Sequence, residues 1–201
     1  MSETSAVKAK TNTDALPQSV DELGALPWVR ALLTAPGTTT FVPQSRDPAN
    51  THPHDRFFGK TLNNPDGVPT CVCFFHGDAP GRAPIAEIST LFALSRGVDG
   101  YPNVAHGGLV GVLVDEVLGI LIQHNMNTDR DGPVFKMNTV TASMGIKYLK
   151  PIVTPGVVLG VGRIKEISGK RLLLGAVIKD ANGVELATCD AVWIALPRPK
   201  M

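Results

Sequence analysis

The strongest apolar pattern in the chain lies near its middle, between residues 109 and 121. Positions spaced by three or four residues recur there, and apolar residues fill most of the positions between them. The recurring positions are Leu109, Val112, Leu113, Glu116, Val117, Ile120 and Leu121. A helix that is apolar nearly all round is buried. The pattern therefore predicts a central helix inside the core.

Six other segments have the composition of β-strands, because they are rich in β-branched, aromatic or other apolar residues and are bounded by Gly and Pro. They are Thr70–His76, Ile85–Ser95, Phe135–Leu149, Val157–Ile167, Arg171–Lys179 and Glu185–Leu196. Ser168-Gly169 and Asn182-Gly183 predict tight hairpin turns. One helix cannot cover both faces of a six-stranded sheet, so we predict an α+β fold with an antiparallel sheet wrapped around the helix. The uncovered face or edge would then need a partner, usually a second copy, and we predict at least a homodimer.

The N-terminal third of the chain is less regular. Ser19 and Glu22 form a capping-box pattern that begins a short helix, and Pro27 should split or kink this helix. Residues 36–69 are rich in Pro, Asn, Asp and Thr, which indicates a long loop region with one strand at 39–42. The chain is predicted to comprise a flexible tail, a helix-and-loop extension and a main domain, at residues 1–17, 18–67 and 68–197.

Charge and composition exclude several classes of partner. The 201 residues carry a net charge of +1 with scattered Lys and Arg, so we expect no binding to nucleic acid. The stretch Leu109 to Ile122 is interrupted by two carboxylates and is shorter than a typical membrane span, so no membrane insertion is expected. Residues 1–17 lack the apolar segment of a signal peptide, which favours the cytoplasm. The C-terminal Pro199-Lys200-Met201 departs from the peroxisomal Ser-Lys-Leu signal.

Neither metal nor cofactor chemistry is predicted. The three cysteines lack the spacing of a zinc or redox motif, which favours reduced packing residues. The histidines outside the central motif fall in different predicted elements, without a matching acidic ligand; they are His52, His54, His76 and His124.

Candidate chemistry lies within and just before the central helix. Gly107 and Gly108 at its start would let another group approach free backbone N–H groups, where the helix dipole favours negative charge, although they would equally allow a tight turn. Asp115 is a carboxylate in an apolar helix, where burial is costly without a partner or a task. Glu116 points about 100° away, so we expect at most one of the two to face a given site, with Glu116 exposed or in an ion pair.

Helix geometry then places the two halves of the candidate site on different chains. Eight residues of helix rise about 12 Å, too far for the Gly107 N–H and the Asp115 carboxylate of one chain to reach a single carbonyl. Two helices related by a dimer axis would bring the start of one to the middle of the other.

Two segments of the chain resemble hotdog-fold acyl-CoA thioesterases. The first is His106-Gly107-Gly108 with Asp115 eight residues after the first Gly, and the second is the strand from Thr141 to Ile152. The similarity is to the phenylacetic-acid-pathway and human thioesterase-superfamily-member group and covers roughly residues 68–197. It implies that the Gly107 N–H polarises the thioester carbonyl and that Asp115 is the catalytic carboxylate. It also implies that Thr141 orients the attacking water. It also implies a homodimer with interfacial sites, often paired into a dimer of dimers.

Other features of the resemblance concern substrate contacts. The candidate substrate-binding residues are His106, Gly108, Asn103 and Glu116. Some family members carry an Asn where this chain has Gly100, and the Asn often found in the strand motif is Gly145 here. For His106 a structural role in fixing the loop is favoured over substrate binding or acid–base chemistry. Residues 55–63 are similar to fungal thioesterases encoded beside biosynthetic genes, which implies a fatty acyl or polyketide substrate.

The predicted function is hydrolysis of an acyl thioester of coenzyme A or of an acyl carrier protein. Asp115 would activate water as a general base or attack directly to form an anhydride, and both routes stay open. Two alternatives are a non-catalytic acyl-binding or biosynthetic accessory protein and a hotdog dehydratase or hydratase. The second is weaker, because the spacing of His106 and Asp115 does not fit its His–acid pattern.

Overall fold

The computed structural model describes residues 16–47, 55–77 and 81–197. All but the last two residues of the predicted flexible tail lie outside these ranges, as do His52, His54 and the C-terminal residues 198–201.

The extension begins with two short helices, α1 (Val20–Ala25) and α2 (Pro27–Leu33). The Ser19 hydroxyl accepts a hydrogen bond from the Glu22 N–H at 3.2 Å and caps α1, and Pro27 separates the two helices as its lack of an N–H requires. Strand β1 (Thr38–Phe41), a 3₁₀ turn and a π-helical turn follow; the turns are Gln44–Arg46 and Phe57–Thr61.

The remainder of the described chain forms strands around one long helix, α3, which spans Gly107–Asn127. The strands are β2 (Thr70–His76), β3 (Glu87–Leu94), β4 (Asp99–Tyr101), β5 (Val104–Ala105), β6 (Asn138–Tyr148), β7 (Gly156–Ser168), β8 (Arg171–Lys179) and β9 (Glu185–Leu196). Short 3₁₀ turns occupy Arg96–Val98 and Pro133–Lys136. All six strands predicted from the sequence are present within a few residues of their expected ends.

Seven strands form one antiparallel sheet in the order β1-β2-β3-β7-β8-β9-β6. Helix α3 packs against β3, β7 and β8, and its apolar side chains form the main core with the inward-facing side chains of the sheet. This is the hotdog arrangement, so the predicted fold class is confirmed. The seventh strand is β1, which the sequence placed in the loop region; it extends the sheet by pairing with β2.

The extension covers part of the outer face of the sheet. Leu23 and Val29 of the two short helices are fully buried against Val72, Phe74 and Leu91 of β2 and β3. At this end of the sheet the extension itself therefore supplies the cover that the sequence analysis assigned to a partner. At the other end, β6 is the last strand, and its residues are exposed or half-buried.

Helix α3 has 21 residues and extends beyond the apolar stretch seen in the sequence. By length and composition it is long enough to cross a membrane, but half of its most apolar window is buried within the protein. It is the core helix of the domain. The three cysteines are buried free thiols, as predicted, and burial raises the pKa of Cys71 to about 12.

Candidate active site

His106 fixes the start of α3. Its Nδ1 accepts a hydrogen bond from the Gly108 N–H at 2.9 Å, and its own N–H donates to the Val98 carbonyl at 2.9 Å. A Cβ atom at position 108 would lie 2.9 Å from that Nδ1, so the side-chain cap requires glycine there. These contacts give His106 a structural task, and they occupy the Gly108 N–H.

The Gly107 N–H has no hydrogen-bond partner within residues 16–47, 55–77 and 81–197. Gly107 lines a cavity of about 310 Å³ together with Tyr148, Lys150 and Leu186. The Tyr148 hydroxyl donates to the Gly107 carbonyl at 3.1 Å, which links β6 to the start of the helix. A free N–H at the first position of a long helix can donate to an oxygen that gains negative charge.

Asp115 lies two helical turns further along α3 and contacts β6. The Thr141 hydroxyl donates a hydrogen bond to Asp115 Oδ1 at 2.8 Å. Thr141 precedes an irregularity in the pairing of β6 with β9, where the register shifts between Thr141 and Ser143. The structure therefore joins two predicted site residues that are 26 positions apart in the sequence.

A larger cavity of about 580 Å³ opens beside Asp115. It is lined by side chains of α3 between Asp115 and Asn127 and by residues 41–45, Asp47 and Asp55 of the extension. Thr139 and Trp193 of the sheet also line it, together with Gly119, Ile120, Gln123 and His124 of the helix. Its lining is mixed, with amides and carboxylates beside aromatic and aliphatic side chains. The pattern of residues in the extension did not indicate that it forms a wall of this cavity.

Glu116 also lines this cavity, which contradicts the expectation that at most one of the two adjacent carboxylates faces a site. Residues of the extension line the same cavity as both carboxylates. Glu116 is half-buried, and none of the ion pairs among the described residues includes it. Burial, then the nearby Asp55 and Asp115 carboxylates, raise the pKa of Glu116 to about 9 against the opposing effect of Arg46.

His124 occupies the far end of the same cavity. Its ring stacks on Phe41 with centroids 4.3 Å apart, and burial together with Arg130 lowers its pKa. Within the described part of the chain, no three His, Cys, Asp or Glu side chains lie close enough to hold a metal ion.

Asn103 lines neither cavity, and the same is true of His106, Gly108 and Thr141. It occupies the turn between β4 and β5 with a φ of 62°, its N–H donates to Asp99 Oδ2 at 3.0 Å, and its carbonyl accepts from the Thr154 N–H at 3.1 Å. Asparagine tolerates this left-handed conformation, which accounts for its presence in the turn.

Gly107 and Asp115 thus line separate cavities of one chain, as the helix rise requires. In chemical terms, a carboxylate held by a hydroxyl can act as a general base, and a helix N–H without a partner can act as an oxyanion donor.

These features describe a hotdog fold with a candidate site on and beside its central helix. The sequence profile of the thioesterase superfamily matches residues 102–187, which include α3 and most of the following strands. This match agrees with the resemblance found in the sequence.

Among individual proteins, the chain is similar to verlamelin biosynthesis protein B of a Lecanicillium species. The two are 28% identical over 172 residues, which cover 72% of this chain and 74% of that protein. Two solved structures show a more distant likeness. A hypothetical thioesterase protein of Streptococcus pneumoniae with coenzyme A matches with a TM-score of 0.49 and 15% identity, over 59% of this chain and 84% of that one. The PaaI protein of E. coli, from the phenylacetic acid degradation operon, matches with a TM-score of 0.47 and 11% identity, over 55% and 72%.

Proposed function

We propose that this protein hydrolyses an acyl thioester, with Asp115 as the catalytic carboxylate. The observation that carries the proposal is the Thr141–Asp115 hydrogen bond, whose acceptor Asp115 lines a cavity large enough for an acyl group. The thioesterase-superfamily match over residues 102–187 supports the same reaction.

In the proposed reaction Asp115 removes a proton from water, which attacks the thioester carbonyl. The Thr141 hydroxyl holds the carboxylate at 2.8 Å and can contact the same water. The Gly107 N–H of a second copy stabilises the negative charge on the carbonyl oxygen. Collapse of the tetrahedral intermediate breaks the C–S bond and releases the thiol and the carboxylic acid. Direct attack by Asp115, which forms an anhydride that water then cleaves, gives the same products.

The proposed site requires a homodimer, because the two halves lie about 12 Å apart along one helix. The exposed outer strand β6 carries Thr141 and has one unpaired edge within the described sheet, so it is the part of the surface suited to pair with a second copy. Val140 and Met144 on this strand are exposed apolar side chains that such an interface would cover. A dimer of dimers would build on the same unit.

We further propose that the acyl group is a fatty acyl or polyketide chain carried by coenzyme A or by an acyl carrier protein, and that the protein acts in the cytoplasm. The similarity to a biosynthesis protein supports a role in assembling a natural product. The acyl chain would enter the 580 Å³ cavity along α3, which from Asp115 to Asn127 is about 18 Å long.

The test is thiol release from a panel of acyl-CoA and acyl-pantetheine substrates by the wild-type protein and by Asp115→Asn. We expect wild-type turnover and a loss of about 100-fold or more in the variant, since a positioned general base contributes at least that much. Asp190→Asn is the matched control, because Asp190 is an exposed carboxylate on β9 that pairs with Lys165 and should leave the rate unchanged. Wild type without thiol release on any substrate would favour the accessory acyl-binding role, and full activity in Asp115→Asn would refute the mechanism.

A further inference from the structure

Strand β6 is hydrogen-bonded to α3 at two places, and each involves one half of the proposed site. Near the start of the strand, the Thr141 hydroxyl donates to Asp115 Oδ1 at 2.8 Å. At its last residue, the Tyr148 hydroxyl donates to the Gly107 carbonyl at 3.1 Å. The mechanism described above gives Thr141 a role in orienting the carboxylate, whereas Tyr148 has no role in it.

An irregularity in β6 allows both side chains to face the helix. Thr141 and Tyr148 are seven residues apart, and in a regular strand an odd separation would point them to opposite faces of the sheet. The register with β9 shifts between Thr141 and Ser143. As a result, their partners on β9, Trp193 and Ala187, are six residues apart and lie on one face. The extra residue in β6 therefore places the two hydroxyl groups on the same side of the strand.

The Tyr148 ring also lies directly beside Gly107. A Cβ atom at position 107 would be 3.6 Å from a ring carbon and 3.8 Å from the hydroxyl oxygen, so the phenol covers the side of Gly107 on which other residues carry a side chain. Both residues line the cavity of about 310 Å³, and the Gly107 N–H has no hydrogen-bond partner within the part of the chain that the structure describes. Tyr148 thus holds the Gly107 carbonyl while the Gly107 N–H stays available to a ligand.

The other side-chain contact at the start of α3 fixes the neighbours of Gly107. His106 accepts from the Gly108 N–H through Nδ1, and its own N–H donates to the Val98 carbonyl. Among the side chains of residues 16–47, 55–77 and 81–197, that of Tyr148 is the one hydrogen-bonded to Gly107. Removal of the Tyr148 hydroxyl should therefore make Gly107 more mobile and leave the His106 cap in place.

We propose that Tyr148 is a positioning residue for the oxyanion donor, which holds Gly107 so that its N–H faces the thioester carbonyl beside Asp115 of the second copy. The inference rests on the proposed thioester hydrolysis. One strand then orients the carboxylate of one site through Thr141 and the N–H donor of the other site through Tyr148. A preorganised donor needs no rearrangement when negative charge develops on the carbonyl oxygen. Greater mobility of Gly107 should therefore lower kcat more than it raises KM.

The first test is steady-state thiol release by Tyr148→Phe, which keeps the ring and removes the hydroxyl. Tyr148 is an exposed residue, so the variant should fold. We expect kcat to fall about tenfold while KM stays within about twofold of wild type. The matched control is Tyr101→Phe, which should have wild-type kinetics because Tyr101 is an exposed tyrosine whose hydroxyl has no partner among the described residues. A wild-type kcat in Tyr148→Phe, or a loss of kcat/KM that lies wholly in KM, would overturn the proposal.

A pair of mixed dimers tests whether Tyr148 serves the carboxylate of the other copy. Two differently tagged copies are expressed together, and the mixed dimer is purified through both tags. With Asp115→Asn on one copy and Tyr148→Phe on the other, one site keeps both native residues, so kcat should be about half that of wild type. With both substitutions on one copy, neither site is intact, so kcat should be about one twentieth. Equal values for the two dimers, or the reverse order, would overturn the proposal.

A measurement without substrate separates this proposal from the hydrolase function. In ¹H–¹⁵N spectra of the full chain labelled at glycine, the Gly107 amide is identified by its absence from Gly107→Ala. Tyr148→Phe should shift or broaden this amide and leave that of Gly24 in α1 unchanged. An unchanged Gly107 amide would overturn the role of Tyr148. Absence of thiol release in wild type would refute the hydrolase function, while the amide spectra would still decide whether Tyr148 holds Gly107.

Discussion

Asn125 is a fully buried polar residue, and replacing it with alanine should be strongly destabilising. Its side chain joins the end of α3 to the segment that leads into β3. The amide oxygen accepts from the Ile85 N–H at 2.8 Å, and the amide nitrogen donates to the Ile85 carbonyl at 3.0 Å and to the Leu121 carbonyl at 2.9 Å. The Ile85 side chain is itself buried. Asn125 therefore serves as a hydrogen-bonding partner for a chain segment outside any strand.

The expected size of the effect follows from these bonds. Asn125→Ala leaves the N–H and the carbonyl of Ile85 without their partner, at about 1–3 kcal/mol for each unsatisfied group. The total is about 4 kcal/mol, which corresponds to a fall in Tm of roughly 8–16 °C for a domain of this size. Asn125→Asp keeps the acceptor and removes both donated bonds, so it should also destabilise.

Urea unfolding followed by circular dichroism measures this change in the free energy of unfolding. The control is Gln123→Ala, because Gln123 is an exposed amide on the same helix whose hydrogen bond reaches only Asn127; the change should stay within about 0.5 kcal/mol. A loss below about 1 kcal/mol for Asn125→Ala would refute the reasoning, since it would mean that the Ile85 backbone finds other partners at no cost.

Three further predictions concern the site and the extension. Between the ordinary glutamate pKa of 4.5 and about 9, the folded protein binds one proton more than the unfolded chain at Glu116. Stability conferred by a neutral Glu116 therefore falls as pH rises, by about 1.4 kcal/mol per pH unit, and Glu116→Gln should gain about 2.7 kcal/mol over wild type between pH 6 and pH 8 in urea unfolding. Thr141→Val removes the hydrogen bond to Asp115 and should lower kcat/KM about tenfold, with unchanged unfolding because Thr141 is exposed. Gly59→Ala places a Cβ atom closer to the Ser45 carbonyl oxygen than van der Waals contact allows and should cost about 1–3 kcal/mol, with faster hydrogen exchange at residues 44–46.

Matched variants separate these effects from general perturbation. At Gly24 of α1 an added methyl group would meet no atom within 4 Å, so Gly24→Ala should stabilise by about 0.5–1 kcal/mol where Gly59→Ala destabilises. Glu87 is an exposed carboxylate that pairs with Arg163, so Glu87→Gln should leave the pH dependence of unfolding as in wild type. Equal pH slopes for Glu116→Gln and wild type would contradict a neutral Glu116. A wild-type kcat/KM in Thr141→Val would contradict the prediction for that residue. An unchanged free energy of unfolding and unchanged hydrogen exchange at residues 44–46 in Gly59→Ala would contradict the prediction for Gly59.

The larger elements of the fold could be predicted because their signals are local and repeated. The apolar spacing marked α3, and strands β8 and β9 have the bounds that their composition indicated. The β4–β5 hairpin could not be found in this way, because strands of three and two residues carry no periodic pattern. This hairpin depends on tertiary contacts, such as the hydrogen bond from the Ala105 N–H to the Ile152 carbonyl.

The same difference between local sequence signals and tertiary contacts separates the residues of the candidate site. Gly107 and Asp115 are visible in the sequence because they lie on one helix at a fixed spacing, and Thr141 was identified through the family motif. Asp55 carries no such signal, since its relation to Glu116 exists only after the extension folds across α3. Glu116 is half-buried without an ion pair, contrary to the expectation. Helix geometry gives the angle between Asp115 and Glu116, but it does not show that residues of the extension also pack beside them.

Helix α3 therefore imposes two separate demands on the proposed enzyme. Its rise separates the oxyanion donor from the carboxylate, so that a complete site requires a second copy. Its two adjacent acids line one cavity, and burial, then the nearby Asp55 and Asp115 carboxyl groups, raise the pKa of Glu116 to about 9. The first demand concerns the free edge of β6 and the second concerns the buried side of α3. Because these features lie on different elements, Glu116→Gln should flatten the pH dependence of unfolding without changing the oligomeric state. Substitutions on the exposed face of β6 should change assembly without altering that pH dependence, and analytical ultracentrifugation beside urea unfolding distinguishes the two.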